Sequence, residues 1–204
     1  LHLSLGTLSA RINANPQGRF IYLARQVDPA QAKWIDKLNL PGINLRDESR
    51  RFYPAGHVAA NLIGFTNIDG QGIEGVEKSF NNQLTGKEGT RLVRKDRYGN
   101  VVENITEVPA TPAHNIMLSI DKRLQTVTED ALSNAVQWNK ADSGASVLID
   151  VHTGEVLAMA SYPSFNPNNR EGAQLDDFRN RAISDTFEPG STVKPMVVMT
   201  ALQR

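Results

Sequence analysis

The spacing of apolar positions predicts helices at two places in the chain. Asp28 followed by a proline is typical of a helix start, and an apolar face runs from there to a Pro-Gly stop at residues 41–42. A longer helix is predicted from a cap at Asp121 to about Asn139, because apolar residues recur there at steps of three and four. Those residues are Leu124, Val127, Ala131, Leu132, Ala135 and Trp138. We expect this stripe to face the core.

Two pairs of short apolar runs separated by turn residues predict two β-hairpins. Residues 91–95 and 100–105 can pair across the turn at 96–99. Residues 145–150 and 155–161 are apolar runs with β-branched side chains, and they flank His152-Thr153-Gly154. A long helix beside an antiparallel hairpin indicates an α+β sheet domain.

A linker-like stretch separates the two patterns. Residues 108–113 contain two prolines and small residues, and the turn-rich text before them gives way to the long helix. We therefore expect two units, residues 1–113 and residues 114–204. Both ends read as cut within elements, so we expect a fragment of a longer protein.

Composition excludes several function classes. The formal net charge is zero, which gives no bulk reason to expect nucleic acid as a partner. The chain has no cysteine, and its four histidines do not pair at metal-ligand spacings, so neither a metal nor a cofactor is expected. Its apolar stretches are far shorter than the roughly 20 residues of a membrane helix, so any anchor should lie outside this chain.

Ser191 and Lys194 form the candidate catalytic pair. A serine hydroxyl is a poor nucleophile unless a base takes its proton, and lysine can act as that base when its pKa falls toward neutrality. Three residues apart on a helix, the two side chains share one face about 4.5 Å apart along the axis. The pair therefore points to acyl transfer through a serine.

The surrounding residues predict a helix that begins at about Ser191. Pro189-Gly190 breaks the chain just before it, and Pro195 fits only near a helix start. Free backbone N–H groups and the positive end of the helix dipole would then lie beside a developing oxyanion. Because the residues after Pro195 are apolar nearly all round, we expect this helix to be buried.

Three other strings resemble catalytic motifs but are expected to be bystanders. Ser119 and Lys122 repeat the Ser-x-x-Lys spacing, yet no Pro-Gly break precedes them, and Asp121 is better used as a helix cap. Ser79-Phe80-Asn81 and Ser164-Phe165-Asn166 spell Ser-x-Asn, but both precede Ser191.

These motifs together resemble the class B penicillin-binding proteins of bacterial division. Residues 188–195, Glu-Pro-Gly-Ser-Thr-Val-Lys-Pro, look like the active-site signature of that family. Residues 51–56 with Gly64-Phe65, and residues 72–77, resemble its pedestal motifs. Residues 94–99 add to the match, so the resemblance covers essentially the whole chain.

The resemblance implies both the architecture and the activity. It implies an α+β fold with a pedestal, or dimerisation-type, domain at 1–113 and the beginning of a transpeptidase domain at 114–204. It implies a serine-type D-Ala-D-Ala transpeptidase that cross-links peptidoglycan stem peptides at the septum, with Ser191 as nucleophile and Lys194 as candidate base. β-Lactams would acylate the same serine.

Partners and location also follow from the resemblance. Division proteins and a septal glycan polymerase would bind the pedestal, on the periplasmic side of the inner membrane. The family pattern further requires Ser-x-Asn and Lys-Thr/Ser-Gly after the nucleophile, and neither follows Lys194 here. We therefore expect slow or absent acylation of the chain by itself.

Two alternatives remain open. A serine β-lactamase or a β-lactam sensor shares Ser-x-x-Lys, although the pedestal-like residues upstream argue against it. A non-enzymatic interaction module is the second alternative for the chain by itself.

Overall fold

The computed structural model describes residues 4–14, 20–87, 89–97 and 101–203, with the side chain of Lys95 left out of the description. The elements in the first part are α1 Leu5–Asn13, α2 Pro29–Lys37, α3 Ala60–Ile63, α4 Gly75–Ser79, α5 Asn81–Thr85, β1 Thr90–Lys95 and β2 Val101–Val108. Those that follow are α6 Lys122–Trp138, β3 Gly144–Ile149, β4 Val156–Tyr162, α7 Arg181–Ser184 and α8 Lys194–Leu202, with 3-10 turns at Leu175–Phe178 and Gly190–Val193. The combination of helices and antiparallel pairs confirms the α+β class.

The capping residues place both predicted helices correctly. The Asp28 carboxylate accepts the N–H of Ala30 at 2.8 Å, and α2 begins at the proline between them. The Asp121 carboxylate accepts the N–H groups of Leu124 and Arg123, and these bonds lower the pKa of Asp121. An aspartate at this position satisfies N–H groups that have no partner inside the helix.

Both predicted hairpins form. Strands β1 and β2 pair antiparallel from Thr90 opposite Val108, and the predicted turn between them falls partly on residues 98–100, outside the described residues. Strands β3 and β4 pair antiparallel from Gly144 opposite Tyr162. The turn between β3 and β4 contains Gly154 at φ +77°, a backbone conformation that favours glycine.

The predicted core face of α6 is wrong by about one residue. Its buried side chains are Gln125, Glu129 and Val136, whereas Val127 is 65% exposed and Trp138 is 87% exposed. The reason is the neighbouring strand. The amide of Gln125 accepts the N–H of Met159 at 2.8 Å and donates to its carbonyl at 2.9 Å. Gln125 thus bonds to the backbone edge of β4 that β3 leaves unpaired. The face of α6 that carries Gln125 turns inward for this reason.

The segment after β4 packs onto residues 53–66. Tyr53, Ala60, Phe65 and Phe165 form a buried cluster, and the Phe65 and Phe165 rings lie 5.6 Å apart. Asn168 accepts the N–H of Tyr53 at 2.9 Å and donates to its carbonyl at 2.7 Å. We call this contact between residues 53–66 and 163–178 the seam.

Glu129 extends the seam toward α6. Its carboxylate accepts from the Gln125 side chain at 3.1 Å and from the Ala59 N–H at 3.4 Å, while its second oxygen is buried without a hydrogen-bond partner. Burial raises the pKa of Glu129, and the hydrogen bonds oppose this in part. The helix is thereby joined to the turn that precedes α3.

Candidate active site

Ser191 lies in a 3-10 turn that leads directly into α8. Gly190 takes φ +54°, and the Pro189 carbonyl then accepts both the N–H and the hydroxyl of Thr192. The serine therefore follows a sharp break in the chain, as predicted. Its side chain is exposed.

The α-helix begins at Lys194, three residues later than predicted. Pro195 has no N–H, so the α-type bond from residue 195 to the Ser191 carbonyl cannot form. The N–H of Lys194 takes that carbonyl instead, which is the 3-10 pattern. In such a turn, side chains three apart lie one above the other, with a rise of about 6 Å. Ser191 and Lys194 are thus on one face, with the lysine a little farther along the axis.

The predicted burial of α8 is wrong in this structure. Met196 is 64% exposed, Val197 65% and Leu202 81%. In the described part of the chain, no helix or strand packs extensively on α8 except its own preceding turn. The apolar composition predicts burial, but within the described ranges no other helix or strand covers this face of the chain.

A network of alternating charges precedes the serine and was missed from the sequence. Asp176 pairs with Arg179 at 3.0 Å and with Arg181, and Asp185 pairs with Arg181 at 3.1 Å and with Arg179. Hydrogen bonds from Arg181, and then from Arg179, lower the pKa of Asp176. The dense alternation of acids and bases in residues 176–185 was a visible signal. These ion pairs join residues within 176–185, a segment that ends six residues before Ser191.

The strings expected to be bystanders have structural partners. The Ser119 hydroxyl donates to the Val156 carbonyl at 2.7 Å, beside the cap of α6. The Asn81 side chain accepts the N–H of Gly72 at 2.8 Å. Phe165 is buried in the seam, and the Ser164 hydroxyl contacts the His57 carbonyl at 3.4 Å. None of these serines lies beside Ser191 in the chain or in a described contact.

The described ranges contain neither a metal-binding cluster nor a membrane-spanning helix. No group of three or more His, Cys, Asp or Glu side chains there could hold a metal ion. None of the described helices combines the length and the apolar character that crossing a bilayer requires.

Two protein-family descriptions match the chain. "Penicillin-binding Protein dimerisation domain" matches residues 7–118, and "Penicillin binding protein transpeptidase domain" matches residues 144–204. The second match contains the Ser191–Lys194 pair and the β3–β4 hairpin.

Curated relatives and solved structures agree with these matches. The chain is 66% identical over its whole length to the peptidoglycan D,D-transpeptidase FtsI of Escherichia coli K12 and covers 35% of that protein. A peptidoglycan synthetase from Bifidobacterium adolescentis superposes with a TM-score of 0.67 at 29% identity, over 98% of this chain and 36% of that one. Penicillin binding protein 3 of Mycobacterium tuberculosis, complexed with aztreonam, gives 0.60 at 34% identity, over 71% and 29%.

The chain spans about a third of the length of the curated relatives that it matches. Its first part corresponds to a dimerisation domain and its last part to the start of a transpeptidase domain. The chain therefore belongs to the penicillin-binding proteins, as a member of class B.

Proposed function

We propose that the protein containing this chain is a peptidoglycan D,D-transpeptidase that acts at the division septum. The observation that carries the proposal is the placement of Ser191 and Lys194 on one face of a helix start, within the transpeptidase match. The relatives at 66% and 52% identity carry that activity in their names.

In the proposed reaction, Ser191 Oγ attacks the carbonyl between the two terminal D-alanines of a stem peptide. Lys194 takes the hydroxyl proton, and N–H groups at the helix start stabilise the oxyanion. Collapse of the tetrahedral intermediate breaks the peptide bond, and the protonated amine leaves as D-alanine. The product is an ester between Ser191 and the donor peptide.

The second half transfers the peptide to an acceptor. An amine of a neighbouring stem peptide attacks the ester carbonyl and gives up a proton to the base, and the Ser191 hydroxyl is restored as the new amide forms. A β-lactam would enter the first step and leave Ser191 acylated. The reaction needs a base within reach of the serine hydroxyl and N–H donors beside the oxyanion. The three-residue spacing of Ser191 and Lys194 is therefore essential to it.

The same proposal extends to partners and location. Stem peptides and β-lactams would bind at the transpeptidase region, and division proteins and a septal glycan polymerase at residues 1–113. The protein would act on the periplasmic side of the inner membrane. The match to a dimerisation domain favours the transpeptidase over the β-lactamase or β-lactam sensor. The Ser-x-x-Lys motif by itself leaves that alternative open.

Labelling with a fluorescent penicillin tests the proposal in a protein of the relatives' full length that carries this sequence. We expect stoichiometric labelling that is lost in Ser191→Ala and slowed by about 10²- to 10⁴-fold in Lys194→Ala. Ser119→Ala is the matched control and should label normally. Labelling that survives Ser191→Ala, or maps to Ser119, would refute the assignment. The 204-residue chain by itself should label slowly or not at all.

A further inference from the structure

A polar cavity of about 290 Å3 lies against the seam. Its walls come from Gln26, from Arg50, Arg51 and Tyr53, from residues 66–68 and from residues 167–170, so both sides of the seam contribute. Three arginines and several carboxamides line it, and Ser191 is not among the lining residues. The cavity is therefore separate from the candidate active site.

The charge of the cavity is positive and only partly compensated. Among its lining residues are Arg50, Arg51 and Arg170, and no Asp or Glu of the described residues lines it. Glu77 pairs with Arg51 at 2.9 Å, whereas neither Arg50 nor Arg170 is paired with a carboxylate in the described ranges. The nearby acids Glu48 and Asp69 are both engaged by Arg25. A cleft with this balance attracts anions.

The two unpaired guanidinium groups are held in place without their charges being neutralised. Arg170 lies 4.2 Å above the Phe65 ring and donates one N–H to the Thr66 carbonyl at 3.2 Å. Arg50 donates one N–H to the Asn168 carbonyl at 3.3 Å. One backbone contact, together with stacking in the case of Arg170, orients each guanidinium and leaves other N–H donors of its fork for a ligand.

Neutral donors complete the lining. The Tyr53 hydroxyl already accepts the N–H of Thr66 at 3.0 Å, so its own proton is available to a ligand. Asn67 and Asn168 also line the cavity, and each carboxamide nitrogen donates one N–H within the protein, to Gln71 and to the Tyr53 carbonyl, and has a second N–H to donate. The planar guanidinium groups, with neutral donors around them, match phosphate and carboxylate groups, whose oxygens each accept more than one hydrogen bond.

We infer that this cavity binds a ligand bearing phosphate or carboxylate groups, which Arg50 contacts from one side of the seam and Arg170 from the other. Arg50 and Arg170 line the same cavity but belong to segments more than 100 residues apart in sequence. An anion bound by both therefore bridges the two segments. Binding then stabilises the seam by mass action, since unfolding separates the two arginines. The inference does not depend on the transpeptidase function.

Titration calorimetry of the 204-residue chain tests the site. Inorganic phosphate and glutarate serve as probes, each compared with chloride at the same ionic strength. We expect saturable binding of at least one probe at one site per chain, weakened about tenfold or more in Arg50→Gln and in Arg170→Gln. Arg123→Gln, on α6 and outside the cavity, is the matched control and should bind as the parent does. Preference for phosphate or for glutarate identifies the group that the ligand carries.

A second measurement needs no variant. The midpoint of thermal unfolding of the parent chain should rise with phosphate or glutarate beyond any rise in chloride of equal ionic strength. The inference is overturned if neither probe binds more tightly than chloride. It is equally overturned if Arg123→Gln weakens binding as much as Arg50→Gln does, because the effect would then be general surface charge.

Discussion

Gly64 and Gly75 allow two backbone segments to touch where α3 ends and α4 begins. A β-carbon on Gly64 would stand 1.9 Å from the Glu74 carbonyl oxygen, and one on Gly75 would stand 2.4 Å from the Leu62 carbonyl oxygen. Both residues also have positive φ, at +77° and +62°. These glycines permit the close turn that places Phe65 in the seam, so their role is steric as well as conformational.

Gly64→Ala should therefore destabilise the chain by more than about 3 kcal/mol, because both backbone strain and a backbone clash oppose it. Gly70→Ala is the matched control: its φ is +79°, but nothing lies within 4 Å of the added carbon. That control should cost only about 1 kcal/mol. Urea denaturation followed by circular dichroism measures both. Equal losses would show that the Glu74 carbonyl moves aside freely and that the clash has no energetic role.

The role of a residue that bonds to near neighbours in sequence was predictable. The role of a residue that bonds to a distant segment was not. Asp121 caps α6 because its carboxylate reaches N–H groups two and three residues away, so the sequence contains the whole interaction. Gln125 and Glu129 are buried because of Met159 and Ala59, which lie far away in sequence. The pattern of apolar residues cannot predict that a polar side chain is buried because it bonds to a backbone group far away in sequence.

Among the elements, the packing of α6 against the β3–β4 hairpin depends on one buried amide. Gln125 is 1% exposed and pairs with both backbone groups of Met159, so it closes the edge of β4 that β3 does not cover. Gly144 of β3 allows the other contact, since a β-carbon there would lie 2.7 Å from a Val136 methyl group. Helix and hairpin therefore form one unit.

Gln125→Leu should lower the free energy of unfolding by about 3 kcal/mol, because the Met159 N–H and carbonyl would both be left buried without a partner. Gln137→Leu is the matched control on the same helix. The Gln137 side chain is exposed and in the described structure bonds only to Ser133, so its change should stay within about 0.5 kcal/mol. Chemical denaturation checks the difference. Comparable effects would mean that water or a shifted side chain replaces the lost amide.

Helices α2 and α6 and the two hairpins were predicted well for a physical reason. Turn chemistry at Gly154 and the capping of α2 and α6 are local, and local signals fixed the strands and helices to within a few residues. Helix α8 shows the limit of that approach. Its composition demands burial, but whether the demand is met depends on surfaces outside its own sequence.

At the scale of the whole molecule, the seam joins segments on opposite sides of the predicted boundary at residues 108–113. Tyr53 and Phe65 lie before that boundary, and Phe165 and Asn168 lie after it. Asn61 adds two bonds from its side-chain nitrogen, to the carbonyls of Asp177 at 2.6 Å and Arg179 at 3.0 Å. Linker composition does not predict this contact, because it reports the flexibility of the connection and not the packing between the segments that it connects.

We propose that residues 108–113 are nevertheless the first site of proteolytic cleavage. The stretch is exposed and proline-containing, and a backbone bridge joins Thr111 at its centre to Lys87. Limited digestion should give two pieces that meet near this stretch. First cuts within residues 145–161 would contradict the proposed boundary, because the paired β3–β4 hairpin should be protected.

The two pieces should remain together after the cut. Aromatic burial at Phe65 and Phe165, the paired bonds between Tyr53 and Asn168, and the Asn61 bonds all cross the seam and need no covalent connection. Size-exclusion chromatography of the nicked protein should therefore show one peak containing both pieces, and Phe165→Ala should split it, since removing a buried phenylalanine costs about 3–5 kcal/mol. Phe187→Ala, at an 80% exposed site, should leave the peak whole. Separation of the pieces without any substitution would show that the connecting chain, and not the seam, holds the two parts in contact.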